Sequence, residues 1–413
     1  MNIWAFPSIY PFEHPELRWR GIFAHRQYKG LIKNGADLQV IVPTLWNPPF
    51  PFSELDPEWK NYARWSYPNK AVHDGVTVHY PRIRNIRPNR LEKKTYLERY
   101  VDCIIGFFRS NNIKLDAHND FFYSQWLPDS YLVQEAAHRL GVKSGVLAIG
   151  DDVTVYPNEN KRNFDIFSKT WIEADLRCAV ADYLCVTANE LVKQNLPYDV
   201  IHMGAEHDII HPVSVQEKSA LKRQYSIPED KIAILNVGSA IVRKGWVDLL
   251  DALQIVKETT DNFVLVGVYS KPFDLNLKEE AKKRGLEKNF VGLGEIKPDM
   301  LHTVYNAADI FCLPSHWEGI ACVLLEAMSA GLPSVTTAMC GHPEVINNND
   351  NGILVPMKSP AALATELLSL ITNTDQRKRL GDTARNFIVN EWGDYAETSM
   401  KLYKRIEELL AVK

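Results

Sequence analysis

Short apolar strand signals alternate with amphipathic helical stretches along most of this chain, and that alternation leaves few folds open. The runs 38–43 (LQVIVP), 183–187 (YLCVT), 232–237 (IAILNV), 263–268 (FVLVGV) and 310–313 (IFCL) read as buried parallel strands. Between them, stretches such as 247–259 and 361–371 repeat apolar residues at spacings of three and four, as a helix lying on a sheet requires. Strands alternating with helices predict parallel α/β layers. With 413 residues, the chain exceeds what one hydrophobic core usually serves, so two domains are expected. Residues 1–205 and 230–375 each hold enough strand–helix units for a separate doubly wound, Rossmann-like sheet, and the polar segment 206–229 is expected to link them.

Charge and composition narrow the partners. The formal net charge of −4 gives no global reason to expect nucleic acid. The six cysteines form no C-x-x-C pair and read as free thiols of a reducing cytoplasm. The first residues meet Pro and Glu before any signal-length apolar run, and no stretch approaches the ~20 apolar residues of a membrane span. A cytoplasmic location, at most peripheral to a membrane, follows as the expectation. Residues 43–99 break the strand–helix rhythm. Between 60 and 99, ten Lys or Arg face three Asp or Glu, interleaved with Trp, Tyr and Pro. Two readings stand: a solvated excursion over the first domain, or a surface for an anionic or lipid-linked acceptor and bilayer headgroups.

The densest pattern is PSHWEGIACVLLEAMSAGLP at 314–333. A strand ends, a loop follows, and a helix is expected to start near Gly319–Ile320, with Glu318 at its N-terminus and Glu326 about two turns in. In an open parallel sheet, ligands bind at the carboxyl ends of strands, where this loop must lie. Helix-start N–H groups suit a phosphate or a sugar edge, Gly319 allows close backbone approach, and two carboxylates can accept hydroxyl hydrogen bonds. Glutamates near a helix start are also favoured by the dipole alone. A second constellation is LNVGSAIVRKGW at 235–246. Here Gly238 opens a turn after a strand, and Arg243, Lys244 and Gly245 precede a helix. Cations at a strand end suit the charge that develops on a leaving diphosphate.

Together these segments resemble family 4 glycosyltransferases of the two-domain GT-B architecture, by the E-x7-E signature, PS-x-x-EG before it and LLEAMSAGLP through it. The resemblance implies that Glu318 contacts the donor sugar and Glu326 the ribose hydroxyls. Gly319, Ile320 and Ala321 would line the donor. CGHPEVINNNDNGILVP (340–356) is similar to the family's next motif, with Pro343 and Glu344 shaping the wall beside the sugar. The family's G-R-x4-K-G falls on Gly238, Ser239 and Lys244. Serine replaces the arginine, and Arg243 is the neighbouring candidate to compensate. Gly294 and Ile296 would place backbone against the base.

At the start of the chain, Gly21 would mark the loop facing the cleft, with Arg18 and Arg20 beside it. The stretch 126–153 resembles the family's P-D-G helix and H-G-S-D-V, but the histidine position is Ile149, leaving Gly150, Asp151 and Asp152. Asp151 either orients or deprotonates an acceptor hydroxyl or caps a local turn. His118 reads as structural or exposed. Gly204, Glu206 and Pro212 match the pattern that closes the first domain. The domains implied are 1–213, binding the acceptor, and 214–390, binding the nucleotide sugar, with helix 391–413 packing back on the first.

What the resemblance implies is a retaining, metal-independent hexosyltransferase. It would move a sugar from a UDP- or GDP-linked donor to a glycan or lipid-linked acceptor, in surface polysaccharide biosynthesis, with no cofactor beyond its substrates. Ile149 and Ser239 keep a second reading open, a nucleotide-sugar or glycan-binding protein that has lost transfer chemistry. A nicotinamide-dependent dehydrogenase needs a G-x-G-x-x-G turn that neither GIFAHRQYKG nor VGSAIVRKG supplies.

Overall fold

The computed structural model describes residues 1–11, 21–46, 67–83, 95–270 and 274–412. Two compact units emerge, Met1–His202 with Ala396–Lys413, and Met203–Tyr395.

In the first unit the strands are β1 (Asn2–Phe6), β2 (Asp37–Ile41), β3 (Thr44–Leu45), β4 (Lys70–His73), β5 (Val76–His79) and β6 (Arg82–Ile83). They are followed by β7 (Asp120–Gln125), β8 (Lys143–Ala148), β9 (Leu176–Ala179) and β10 (Asp199–Val200). Eight of them form one sheet in the order β10-β9-β8-β7-β1-β2-β5-β4, parallel except for β4 against β5. The strand β2 stops at Ile41, two residues short of the expected run, and Pro43 beyond it has no N–H to give a ladder. Part of the basic aromatic excursion extends this sheet as β4 and β5. Residues 47–66 and 84–94 of it, like Arg18 and Arg20, lie outside the described residues. Trp4, Phe6, Phe108 and Phe122 pack with Val133 and Ala137 into the core on one face of the sheet. At the other end of the chain, the helix Tyr395–Ala411 is tied into this unit by residues after 395. Lys143 Nζ donates to the Leu409 carbonyl at 2.6 Å, and Arg405 Nε meets Asp199 at 2.8 Å.

One predicted strand is wrong. Residues 183–187 lie in the helix Asp182–Val192, where Leu184, Cys185 and Ala188 form the buried face. Five apolar residues cannot fix a period, and β-branched content misassigned them; the true strand is β9, just upstream. The 206–229 segment is also more than a connector. Its residues Val215–Gln224 form a helix, started by a reciprocal cap between Ser214 and Glu217. From that helix the buried Lys222 reaches Asp309 at 2.8 Å.

The second unit holds β11 (Ile232–Val237), β12 (Phe263–Val268), β13 (Phe290–Gly294), β14 (Ile310–Leu313), β15 (Ser334–Thr337) and β16 (Ile353–Val355). Their order is β13-β12-β11-β14-β15-β16, every pair parallel. The chain winds outward from β11 in one direction and then from β14 in the other, so the strand order reverses between these two. That reversal opens a crevice at their carboxyl ends. One face of the sheet is buried under the helices Trp246–Lys257 and Pro360–Thr372 through Leu249, Leu253, Leu363 and Leu367. All six cysteines are free thiols, three of them buried.

Candidate functional site

The loops after β11 and β14 meet at this crevice. Gly238 follows β11, and its amide donates to the Val268 carbonyl at 3.0 Å. The Lys244 stem runs beside it, its Cδ 3.6 Å from where a Cβ would stand, an ordinary packing distance. The Ser239 carbonyl accepts from the indole of the buried Trp246 at 2.9 Å, which fixes the turn. A short 3-10 turn, Val242–Lys244, then delivers Arg243 and Lys244 to the sheet edge. Gly245 closes the turn at φ 71°, and a Cβ on it would stand 1.9 Å from the Pro314 carbonyl oxygen, so only glycine fits where the two loops touch.

Across that contact lies the loop 314–321. Lys244 Nζ pairs with the Glu318 carboxylate, and Ser315 Oγ donates to the same oxygen at 3.0 Å. The lysine and glutamate side chains are only 19% and 13% exposed, so the pair is poorly screened by water. The His316 amide donates to the Arg243 carbonyl at 2.7 Å, and its ring nitrogen Nε2 lies 2.6 Å from Asp248. Arg243 lies over the Trp317 ring, 5.7 Å from its centre. These contacts make one platform from two loops whose paired residues lie 68 to 74 positions apart. His316, Trp317 and Asp248 were not singled out from the sequence: the first two fill the variable positions of PS-x-x-EG, and Asp248 gains its meaning only from the His316 contact.

The helix after this loop starts later than predicted. Its first residue is Cys322, and Ala321 before it is extended at φ −76°, ψ 106°. Glu318, Gly319 and Ile320 therefore lie in the loop, not at a helix start. Glu326 is in the helix and 6% exposed, and its carboxylate accepts from the Tyr305 hydroxyl at 2.8 Å. The 340–344 segment lies against the loop. A Cβ on Gly341 would stand 2.2 Å from the Gly319 carbonyl oxygen, so the wall beside Glu318 is closed by direct backbone packing. Gly294 ends β13 at φ 68° and accepts from the Tyr269 amide at 2.9 Å, with the half-buried Ile296 two residues beyond. Lys244 and Glu318 are thus in direct contact, with Arg243, Gly238, Ser239 and Gly319 beside them, while Glu326 has a phenol as partner.

The first unit places Gly21 at φ 68° at the start of the helix Ile22–Lys33. Of the two neighbouring acids, Asp152 does the capping. Fully buried, it accepts from the amides of Leu127, Ile149 and Gly150 at 3.1, 3.1 and 2.7 Å. Burial pushes its carboxyl up to about 6, against the downward pull of those amides. Asp151 opens the short helix Asp151–Thr154 and keeps part of its surface in solvent. His118 is exposed, as the sequence suggested.

The fold is that of GT-B glycosyltransferases, α/β with parallel Rossmann-like sheets. Sucrose-phosphate synthase from Thermosynechococcus elongatus superposes with a TM-score of 0.77 over 100% of both chains, at 16% identity. An Anabaena protein, HepE, solved with UDP-glucose, superposes with a TM-score of 0.72 over 98% of this chain and 99% of its own, at 15% identity. Residues 217–387, which contain the whole platform, match the family described as glycosyl transferases group 1. The putative teichuronic acid biosynthesis glycosyltransferase TuaC of Bacillus subtilis is 24% identical over 365 residues, 88% of this chain and 87% of its own. Among the described residues no helix is long and apolar enough to cross a membrane.

Proposed function

We propose that this chain is a retaining, family 4 type glycosyltransferase that moves a hexose-type sugar from a UDP- or GDP-linked donor to a glycan or lipid-linked acceptor. The observation that carries the reading is the Lys244–Glu318 contact at the carboxyl ends of β11 and β14, where the strand order reverses. A nucleotide sugar bound there would set its diphosphate against Lys244 and Arg243, and its sugar hydroxyls against Glu318. The cations meet the charge that grows on the leaving diphosphate, Lys244 exchanging the Glu318 carboxylate for a phosphate oxygen while the backbone contacts between the two loops stay in place. Transfer would follow a same-face displacement through an oxocarbenium-like state, with no obligatory metal. Glu326 is assigned to the ribose, Gly319, Ile320 and Ala321 to the sugar and diphosphate, and Gly294 and Ile296 to the base. Gly21 is assigned with Gly238 and Ser239 to donor binding, and Asp151 to catalysis at the acceptor hydroxyl. Teichuronic acid biosynthesis in the name of one relative, and UDP-glucose in one solved neighbour, support surface polysaccharide assembly from a nucleotide sugar; a cytoplasmic location, at most peripheral to a membrane, belongs to the same proposal.

Ile149 and Ser239 favour one rival, a binding protein without turnover. A thermal-shift panel of UDP-, GDP- and ADP-sugars, followed by assay of released nucleoside diphosphate, separates the two. Stabilisation with release supports transfer chemistry; stabilisation without release over long incubation supports the rival; no stabilisation by any member removes the donor site itself.

A further inference from the structure

The wall beside Glu318 contains a side chain that the site described so far leaves without a task. His342 is wholly buried. Its Nδ1 lies 2.8 Å from Thr336 Oγ1 and 3.1 Å from the Thr337 carbonyl oxygen, both at the carboxyl end of β15. The Thr336 hydroxyl gives its proton to the Leu313 carbonyl at 2.7 Å, and a carbonyl can only accept. Nδ1 must therefore carry the ring proton. That leaves Nε2 as a bare acceptor, buried and without a hydrogen-bond partner among the described residues.

Three facts direct this acceptor to the donor. Burial holds the imidazole below its ordinary range, with the Glu318 carboxylate opposing that shift and Lys244 adding to it. The ring is therefore neutral at pH 7 and within electrostatic reach of both members of the ion pair. The residue before it is pressed onto the Gly319 backbone, which fixes the imidazole relative to the Glu318 loop. Native interiors leave few buried polar atoms unpaired, and one at the carboxyl edge of a sheet calls for a donor that arrives with a ligand.

We propose that His342 determines donor specificity, its Nε2 accepting a hydrogen bond from a hydroxyl of the donor sugar beside the hydroxyl held by Glu318. The proposal rests on the donor-site reading above. The Lys244–Glu318 pair is the part that yields: Lys244 turns to the diphosphate, and Glu318 and Nε2 receive neighbouring hydroxyls of the sugar.

Calorimetric titration of UDP, GDP, UDP-glucose and GDP-mannose against three proteins tests it. In H342N the amide nitrogen can stand near the place of Nδ1 and keep the bond to Thr337, while nothing accepts at the place of Nε2. In H342Q the amide reaches the place of Nε2. The expected result is unchanged nucleoside diphosphate binding by H342N, about tenfold weaker nucleotide-sugar binding, and partial recovery in H342Q. Equal losses on both ligands would show a structural role, and an undiminished preference for the sugar-bearing ligand would show no contact; either overturns the proposal. Should H342N not fold, H342Q decides alone: a preserved preference for the nucleotide sugar is expected, and a tenfold drop in it overturns the inference. Wild-type protein that binds none of the four ligands instead sinks the donor site, so the two failures are distinct.

Discussion

Lys244 is expected to serve stability and chemistry at once, and a double-mutant cycle with Glu318 separates the two. The pair is mostly buried, with 19% and 13% of the side chains exposed. At an effective dielectric of about 20, unit charges ~3 Å apart attract by about 5 kcal/mol, most of which desolvation offsets. Removing one partner leaves the other without its counter-charge, for which fully buried pairs lose about 3–5 kcal/mol. With residual exposure, K244M and E318Q should each lose about 2 kcal/mol. The double variant should lose clearly less than the sum, giving a coupling of at least ~1 kcal/mol. Urea unfolding of the four proteins at pH 7 measures this. Transfer should behave differently. Each single variant is expected to lose about 100-fold or more in turnover, and the double variant should recover none of it, because a neutral pair restores packing but not the charge facing the diphosphate. Additive stability changes would show that the pair is open in solution. Near-normal turnover in K244M would refute the diphosphate assignment itself.

Gly245→Ala should cost about 3 kcal/mol, since the new Cβ meets the Pro314 carbonyl oxygen and the residue sits at φ 71°; a wild-type urea midpoint would refute the close approach. Burial pushes Asp309 up, but Lys218 and Lys222 overcome it and hold the carboxyl below its usual range. The stability this provides is present above the ordinary carboxylate range and lost as pH falls through the lowered one. K222M should therefore be less stable by about 2–3 kcal/mol at pH 7, with a gap to wild type that narrows in acid; a gap constant with pH would contradict the pairing. Burial and His73 depress the His25 imidazole to about 4, against the pull of Asp74. The unfolded chain then takes its proton first, so stability is full above about 6.5 and declines by on the order of 3 kcal/mol toward pH 4. H25Q should flatten that slope in urea midpoints measured from pH 7 to 4.5, and an unchanged slope would assign it to other groups.

The parts of this architecture that were legible in the sequence are those decided by burial on both faces. The strands β11 and β12 are six-residue, mostly apolar runs with a covering helix between them, so length and composition agree. The run 183–187 has the same composition but lies in a helix, because five residues satisfy either period and only the packed neighbours decide. The site divides in the same way. Lys244 and Glu318 were marked by their surrounding words, but their contact spans 74 positions, and no local pattern records that Ser315 donates to the same carboxylate. His342 stood in plain view within CGHPE. What sets it apart is the proton on Nδ1, dictated by Thr336 and Thr337, and no sequence pattern records a proton.

The adjacent acids Asp151 and Asp152 carry this reasoning into the first unit. The sequence singles out Asp151 as the candidate to orient or deprotonate the acceptor hydroxyl or to cap a local turn, with Asp152 beside it. In the structure Asp152 accepts from three backbone amides and ties the end of β8 to the start of the helix Leu127–Leu140. An amide there would set an N–H against those amides and loosen the loop, so lost activity in D152N reports folding, not proton transfer. D151N leaves those bonds intact. If Asp151 orients or deprotonates the acceptor hydroxyl, D151N should lower transfer by about 100-fold while leaving the urea midpoint and donor hydrolysis unchanged. Equal transfer rates in D151N and wild type would remove Asp151 from the chemistry.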